Sequence, residues 1–366
     1  MRPVATVVFP EPECVPATIS LGPSDFALTP AMLPARGRLG RAGLPTGGYP
    51  ARLSAEMLSR QGIPIGRAER PRRGPAGAAE GVLLVGHGSR CAVSEAETHD
   101  LADLVAAELP DLAVEVGFLE MTHPSASSAL DRLVERGCRT VTVLPLALLA
   151  AGHAKSDAPA VVVAGRERHP GVDIRFGAPF GVAREPVELL GKSVVAAGGA
   201  GLPLLVLARG SSDPDANSDA HKAARLIAEW TGSPFVHVGF SGVTGPSIPE
   251  AAAVFERLGH RRIAVAWWFL CHGKLVERGR EDLARVLGAG GVSWVDAGYI
   301  GPDPALVPLV IERYRSAGEA AAHGSGSADA ARCDLCAYRA PWPGREDRVG
   351  QPVGVGHSHL AADHRH

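Results

Sequence analysis

Leu83-Leu84-Val85-Gly86-His87-Gly88-Ser89 is a short apolar run that stops abruptly on a histidine held between two glycines. Leu204-Leu205-Val206-Leu207 leads in the same way into Arg209-Gly210-Ser211, 122 residues further on. At that offset Gly117-Phe118 matches Gly239-Phe240, Pro124-Ser125 matches Pro246-Ser247, Gly137 matches Gly259 and Leu148 matches Leu270. After one deletion Gly152-His153 matches Gly273-Lys274, and after another Gly181 matches Gly301. An ordered series of such pairs is the signature of an internal duplication.

The first copy reads outward from its opening run. Gly81–Val85 is a strand, and Leu101, Leu104, Val105 and Leu109 share one face of a helix. Val114–Phe118 is a second strand, ending near Glu120, and Pro124 is placed in the first turn of the helix carrying Leu130, Leu133 and Val134. A third strand from Thr140 extends into Leu146–Leu149, a helix covers about Lys155–His169, Val172–Phe176 is a fourth strand, and a helix from about Pro186 to Ala197 closes the unit. Four strand–helix alternations per copy predict an α/β fold of two similar lobes, each a parallel four-stranded sheet with helices on both faces. The expected boundaries are 81–200 for the first lobe and 201–316 for the second.

The ends differ. Residues 1–80 hold 12 of the 30 prolines, which break helix and ladder alike. They read as a disordered extension or as upstream sequence joined by a mis-called start, with an Arg-rich transit peptide as the alternative. Residues 317–366 turn to Gly, Ala and Ser and then to a polar tail with Cys333, Cys336 and five of the 14 histidines, read as a flexible extension.

Composition narrows the function. With 37 basic against 39 acidic residues the net charge is −2, which argues against general nucleic-acid binding. No run of 18 apolar residues predicts a membrane span, and no secretory signal is read. Six scattered cysteines suit a reducing cytoplasm rather than a disulfide framework. The 33 arginines against four lysines are taken as nucleotide-composition bias.

Ligands of open parallel sheets bind beyond the carboxyl ends of the strands. In the first lobe that edge receives His87, then Glu120 and His123, then His153, Lys155 and Asp157. The second lobe offers Arg209, Gly242 and Lys274 at the matching positions. Two imidazoles and a carboxylate suit a divalent first-row metal such as Co, Ni, Fe or Zn, and the same groups can move protons. The plainer alternative for any one histidine is a turn residue bonded to nearby backbone.

Leu84–Arg90, Gly117–Glu120, and Pro145-Leu146 through Ala151-Gly152-His153-Ala154-Lys155-Ser156-Asp157-Ala158-Pro159 resemble the CbiX-type sirohydrochlorin chelatases. Arg209–Asn217 and His221–Leu226 are similar to the second lobe of the long, two-lobed members. The resemblance spans about residues 81–316. It implies a chelatase-like fold and insertion of a divalent metal, Co²⁺ or Fe²⁺, into sirohydrochlorin, without ATP. It implies His87 and His153 as metal-binding pair, Glu120 as the acidic catalytic position, and one active site, in the first lobe, facing a cleft. The substrate carries eight carboxylates, so Arg90, Lys155, Arg209 and Lys274 are expected to bind it as charge-assisted donors. The two-lobed form with its Cys/His tail points to cobalt and cobalamin synthesis, in a cytoplasmic monomer or homodimer. The alternatives are a sirohydrochlorin ferrochelatase of sirohaem synthesis and a non-catalytic cobalt or nickel delivery protein. A phosphate site at Gly86–Ser89 is a third reading, on a lone Gly-x-Gly.

Cys333-Asp334-Leu335-Cys336 has the spacing of half a zinc or iron–sulfur site. Some members of the resembled family carry an iron–sulfur cluster on Met-x-Cys-x-x-Cys; here Ala331 stands in place of the Met. His357, His359, His364 and His366 are candidates for gathering metal.

Overall fold

A computed structural model describes residues 73–75 and 77–322. The expectations for most of residues 1–80, and for Cys333, Cys336 and the terminal histidines, lie outside the described residues.

The first copy runs β1 (Glu80–Gly86), α1 (Ala92–Glu108), β2 (Ala113–Phe118), α2 (Ala126–Glu135), β3 (Thr140–Pro145), a π-helical turn (His153–Asp157), α3 (Ala158–Arg168), β4 (Asp173–Phe176) and α4 (Arg184–Ala196). The second runs β5 (Leu204–Ala208), α5 (Pro214–Thr231), β6 (Val236–Phe240), α6 (Ile248–Arg257), β7 (Arg262–Trp267), α7 (Lys274–Ala289), β8 (Ser293–Tyr299), a short 3₁₀ turn (Pro304–Leu306) and α8 (Val307–Ala322). The strands form two four-stranded sheets of order β2-β1-β3-β4 and β6-β5-β7-β8, with every pairing parallel. This is the duplicated α/β architecture that the repeat implies. No described helix is long and apolar enough to cross a membrane.

Central parallel strands must be apolar on both faces, and these are: Val82, Leu83, Leu84 and Val85 are buried, as are Leu204 to Ala208. One face of each sheet has its own core. In the first lobe that core is Leu83, Val85, Leu130, Leu133, Val143 and Ile174; in the second, Leu205, Leu207, Phe255, Val265, Trp267 and Leu283 are central. The opposite faces merge into one core shared by both lobes, where Val82, Leu84 and Phe118 join Val206, Val238 and Phe240.

The shared core depends on an exchange of helices that the repeat boundaries conceal. The helix expected to close the first unit, α4, packs against α5 and against β7 and β8 of the second sheet. The last helix, α8, returns to α1, β3 and β4 of the first. Arg313 of α8 fixes that return by donating to the carbonyls of Pro179 (3.1 Å) and Phe180 (3.3 Å). Each lobe therefore borrows its neighbour's closing helix. Helix α8 continues to Ala322, past the boundary expected at 317, and Ala317 is buried within it.

Local departures have local causes. Pro124 lies outside the first turn of α2, because Ser125 takes the N-cap and accepts from Ser128 N at 3.1 Å. The bond before Pro124 is cis, as is that before Pro246. In the second lobe Ser247 and Glu250 form a reciprocal capping box at the same place. Strand β3 stops at Pro145, and Leu146–Leu149 run on as loop.

Candidate metal and tetrapyrrole site

In each sheet the chain leaves the first strand for one neighbour and later returns to the other side. The switch point thus falls between β1 and β3, and between β5 and β7. His87 is the first residue beyond β1, and the π-helical turn opening with His153 follows β3. Arg209 is the first residue beyond β5, and Lys274 opens α7 after β7. The sequence pattern therefore delivers these four residues to the two switch points.

Backbone hydrogen bonds carry the first ladder past its strands. Leu119 N donates to Gly86 O and Glu120 N to His87 O, both at 3.0 Å. His87 and Glu120 are thus fixed side by side, with His87 Nε2 at 3.0 Å from Glu120 Oε1. Gly88 is needed here: at φ +97 a Cβ would come 1.7 Å from Glu120 O. Ser89 and Thr122 then tie the two loops together, each accepting from the other at 2.9 Å. In the second lobe Asn217 of α5 holds the backbone of Ser211 instead, accepting from its N–H and donating to its carbonyl, both at 2.8 Å.

The lobes meet at His87. Arg209 Nη1 lies 3.1 Å from His87 Nε2, so the same ring nitrogen faces a carboxylate of its own lobe and a guanidinium of the other. One nitrogen cannot donate to Glu120 and accept from Arg209 at once. Protonated, it pairs with Glu120; deprotonated, its lone pair takes the Arg209 N–H or a metal ion. His87 is half-buried, and Glu120 and Arg209 are exposed enough to be reached from solvent.

The expected substrate cations divide. Arg90, Arg209 and Lys274 are exposed. Lys155 is not: its side chain is 3% exposed, and Nζ donates to Asp213 Oδ2 at 2.7 Å and Asp215 Oδ2 at 2.9 Å. With its charge enclosed by two carboxylates of the second lobe, Lys155 fastens the lobes together and does not line a substrate surface. Asp213 also caps α5, accepting from Asp215 N at 3.1 Å. A matching tie works in the other direction. Glu97 of α1 accepts from His272 N at 2.7 Å and from Tyr299 Oη at 2.5 Å. Beside it Cys91 Sγ is 3.6 Å from His272 Nδ1. Burial, with Glu97 nearby, pushes the Cys271 thiol up to about 12.

Sequence reasoning assigned no role to Asp213, Asp215, Glu97 or His272. The Asp-Pro-Asp run at 213–215 is a legible helix start, but nothing local tells that it receives a lysine 58 residues upstream.

A duplicated pair of parallel sheets, with imidazole and carboxylate at one switch point and a cation at the other, defines a two-lobed α/β protein built to handle a cation beside an anionic ligand. A model of the CbiX family matches residues 81–197 and again 203–317, and the chain belongs to that family. It is 34% identical over 270 residues to the sirohydrochlorin cobaltochelatase of Priestia megaterium, covering 70% of this chain and 84% of that one. To the sirohydrochlorin ferrochelatase of Bacillus subtilis it is 28% identical over 255 residues, with coverage of 68% and 95%. Its fold superposes on the solved structure of SirB from Bacillus subtilis with Fe³⁺ at a TM-score of 0.60 and 26% identity, covering 68% of this chain and 98% of that one.

Proposed function

We propose that this chain is a sirohydrochlorin cobaltochelatase, inserting Co²⁺ into sirohydrochlorin on the route to cobalamin without using a nucleotide. The observation that carries the reading is the meeting of His87, Glu120 and Arg209 at 3.0 and 3.1 Å where the two switch points face each other. The 34% identity to a cobaltochelatase supports cobalt as the metal.

The residues divide the work. His87 Nε2 offers a lone pair to the incoming ion, in exchange for the Arg209 hydrogen bond. His153, on the turn after β3, is the second ligand. The macrocycle loses two pyrrole protons as the metal enters, and Glu120 Oε1, already within hydrogen-bond reach of the imidazole and open to solvent, accepts them one at a time, passing the first to water before it takes the second. Arg209, released from His87, turns to a substrate carboxylate, with Arg90 and Lys274 as further donors. Metal entry and substrate anchoring are thereby linked through one ring nitrogen.

The test is an anaerobic absorbance assay with sirohydrochlorin, adding Co²⁺ or Fe²⁺ in separate runs beside an enzyme-free control. Co²⁺ insertion should be the faster. His87→Ala and His153→Ala should abolish it in folded protein, and Glu120→Gln should slow it by about 10²–10⁴-fold, the usual worth of a proton-transfer group. Faster Fe²⁺ insertion would replace the reading with a ferrochelatase. No acceleration by folded protein would leave a metal-delivery protein, and full activity in His87→Ala would remove that residue from the site.

A further inference from the structure

The loops after β2 and β6 carry a matched pair of costly residues. Met121 at φ +59 and Val243 at φ +69 are the non-glycine residues with left-handed backbone among the described residues. They occupy the same place in the two copies, 122 residues apart. In each loop the next residue closes a three-residue turn: Thr122 N donates to Glu120 O at 2.7 Å, and Thr244 N to Gly242 O at 2.8 Å. Turns with a central positive φ are rare and strained, and a β-branched valine is among the worst residues for one. Glycine would remove the strain, and neither copy uses it. Both side chains are also left in water, Met121 53% exposed and Val243 70%.

The ionisable groups around these two positions have diverged, while the turn-forming residues Thr122 and Thr244 and the Pro-Ser pairs that follow are kept. His87 faces Arg209, Glu120 corresponds to Gly242, and His123 corresponds to Gly245. An exposed apolar side chain on a strained turn persists in both copies regardless. Backbone strain held at the same place in both copies, beside the switch-point residues, is the kind of outlier that functional sites store.

The placement names the ligand. Met121 follows Glu120, which holds His87 at 3.0 Å. The Val243 loop lies on Arg209-Gly210: a Cβ on Gly210 would stand 2.4 Å from Gly242 O and 3.0 Å from a Thr244 methyl. Arg209 in turn reaches His87 at 3.1 Å. The two loops that carry these apolar residues therefore border the junction where metal insertion is placed, one from each lobe. The geometry points to Met121 and Val243 as paired apolar contacts for the conjugated ring of the tetrapyrrole, the part of the substrate that its carboxylate-binding cations cannot hold. This rests on the sirohydrochlorin reading above.

The experiment titrates metal-free sirohydrochlorin into the full chain, followed by absorbance, for wild type, Met121→Gly, Val243→Gly and Met121→Leu. Each glycine variant should bind about tenfold more weakly, the loss of roughly half the burial of one large apolar side chain. Each should also melt about 2–4 °C higher, because the strained turn relaxes. Met121→Leu should keep its affinity. In turnover, KM for sirohydrochlorin should rise while kcat holds, since the contact is made equally before and during insertion. Higher melting temperature with unchanged affinity would show purely structural turns and overturn the inference, leaving the chelatase reading intact. Wild-type protein that binds no sirohydrochlorin would overturn both.

Discussion

Replacing Lys155 by methionine tests whether the lobes are fastened by a buried charge. The stem is nearly preserved and only the ammonium is lost. Its side chain is 3% exposed, and those of Asp213 and Asp215 are 8% and 20% exposed. Breaking a buried pair by removing one partner costs about 3–5 kcal/mol, mostly for the charge left behind. Two features soften it here. Asp215 can turn to water, and Asp213 keeps the Asp215 N–H and the N-terminus of α5, whose dipole favours a carboxylate by about 0.3–1 kcal/mol. The lower end, about 3 kcal/mol, is therefore expected, or a fall in Tm of about 6–12 °C for a domain of this size. Urea unfolding should show a lower midpoint with unchanged slope. The triple variant Lys155→Met, Asp213→Asn, Asp215→Asn should recover more than half of the loss, since no unpaired charge remains. A single variant that loses less than about 1 kcal/mol, or a triple variant no better than the single one, would refute the tie.

Three further outcomes follow from the structure. Asp219 has its carboxyl raised above the ordinary range, first by burial and then by the negative charge of Asp215, against the opposing pull of Lys222 and Lys155. A raised carboxyl binds its proton more tightly when folded, so its contribution is full below the ordinary aspartate pKa and lost as pH rises through the folded value. Asp219→Asn should therefore stabilise the protein at pH 7, with the gain gone by about pH 3.5, as urea midpoints at the two pH values would show. Ending the chain after Ala322 should leave cobalt insertion at saturating metal within about twofold, small beside the 10²–10⁴ of a lost catalytic group. Ending it after Leu306 should unfold the first lobe, read by circular dichroism. Val307, Leu309 and Val310 are buried against it, and at about 1.5–3 kcal/mol each they amount to much of a typical domain's stability. Lost turnover in the protein ending at Ala322 would place part of the chemistry in the tail.

The strands and their duplication were legible because a central parallel strand must be apolar on both faces, and Val82–Val85 and Leu204–Leu207 can be little else. Once the strands are in place, the switch-point rule carries His87, Glu120 and Arg209 to one edge of each sheet. The helix exchange was not legible. Val187, Leu190 and Val194 show that α4 buries a face, but no local pattern says which sheet receives it. Lys155 was misread for a related reason. A lysine after a strand looks like a surface cation until a partner 58 residues away encloses it. The strain at Met121 and Val243 is a property of φ, and its one trace in the sequence is the missing glycine in a turn that wants one.

Duplication poses an electrostatic problem that the divergence of the two lobes resolves. Two faithful copies would set imidazole against imidazole and add a second carboxylate at position 242. Two like charges on one substrate surface repel each other, and a polyanionic substrate would meet both. Here Gly242 stands where the second carboxylate would be, and Arg209 where the second imidazole would be. The guanidinium then bonds the one imidazole left, at 3.1 Å. The second lobe keeps the scaffold, the strained apolar turn and a cation, and it lacks the imidazole and the carboxylate to which the proposed reading gives the metal and the protons. On the proposed reading, this division suits the reaction. A metal ligand must release its ion, a proton acceptor must stand alone to stay ionised, and an anionic macrocycle must be held from the other side.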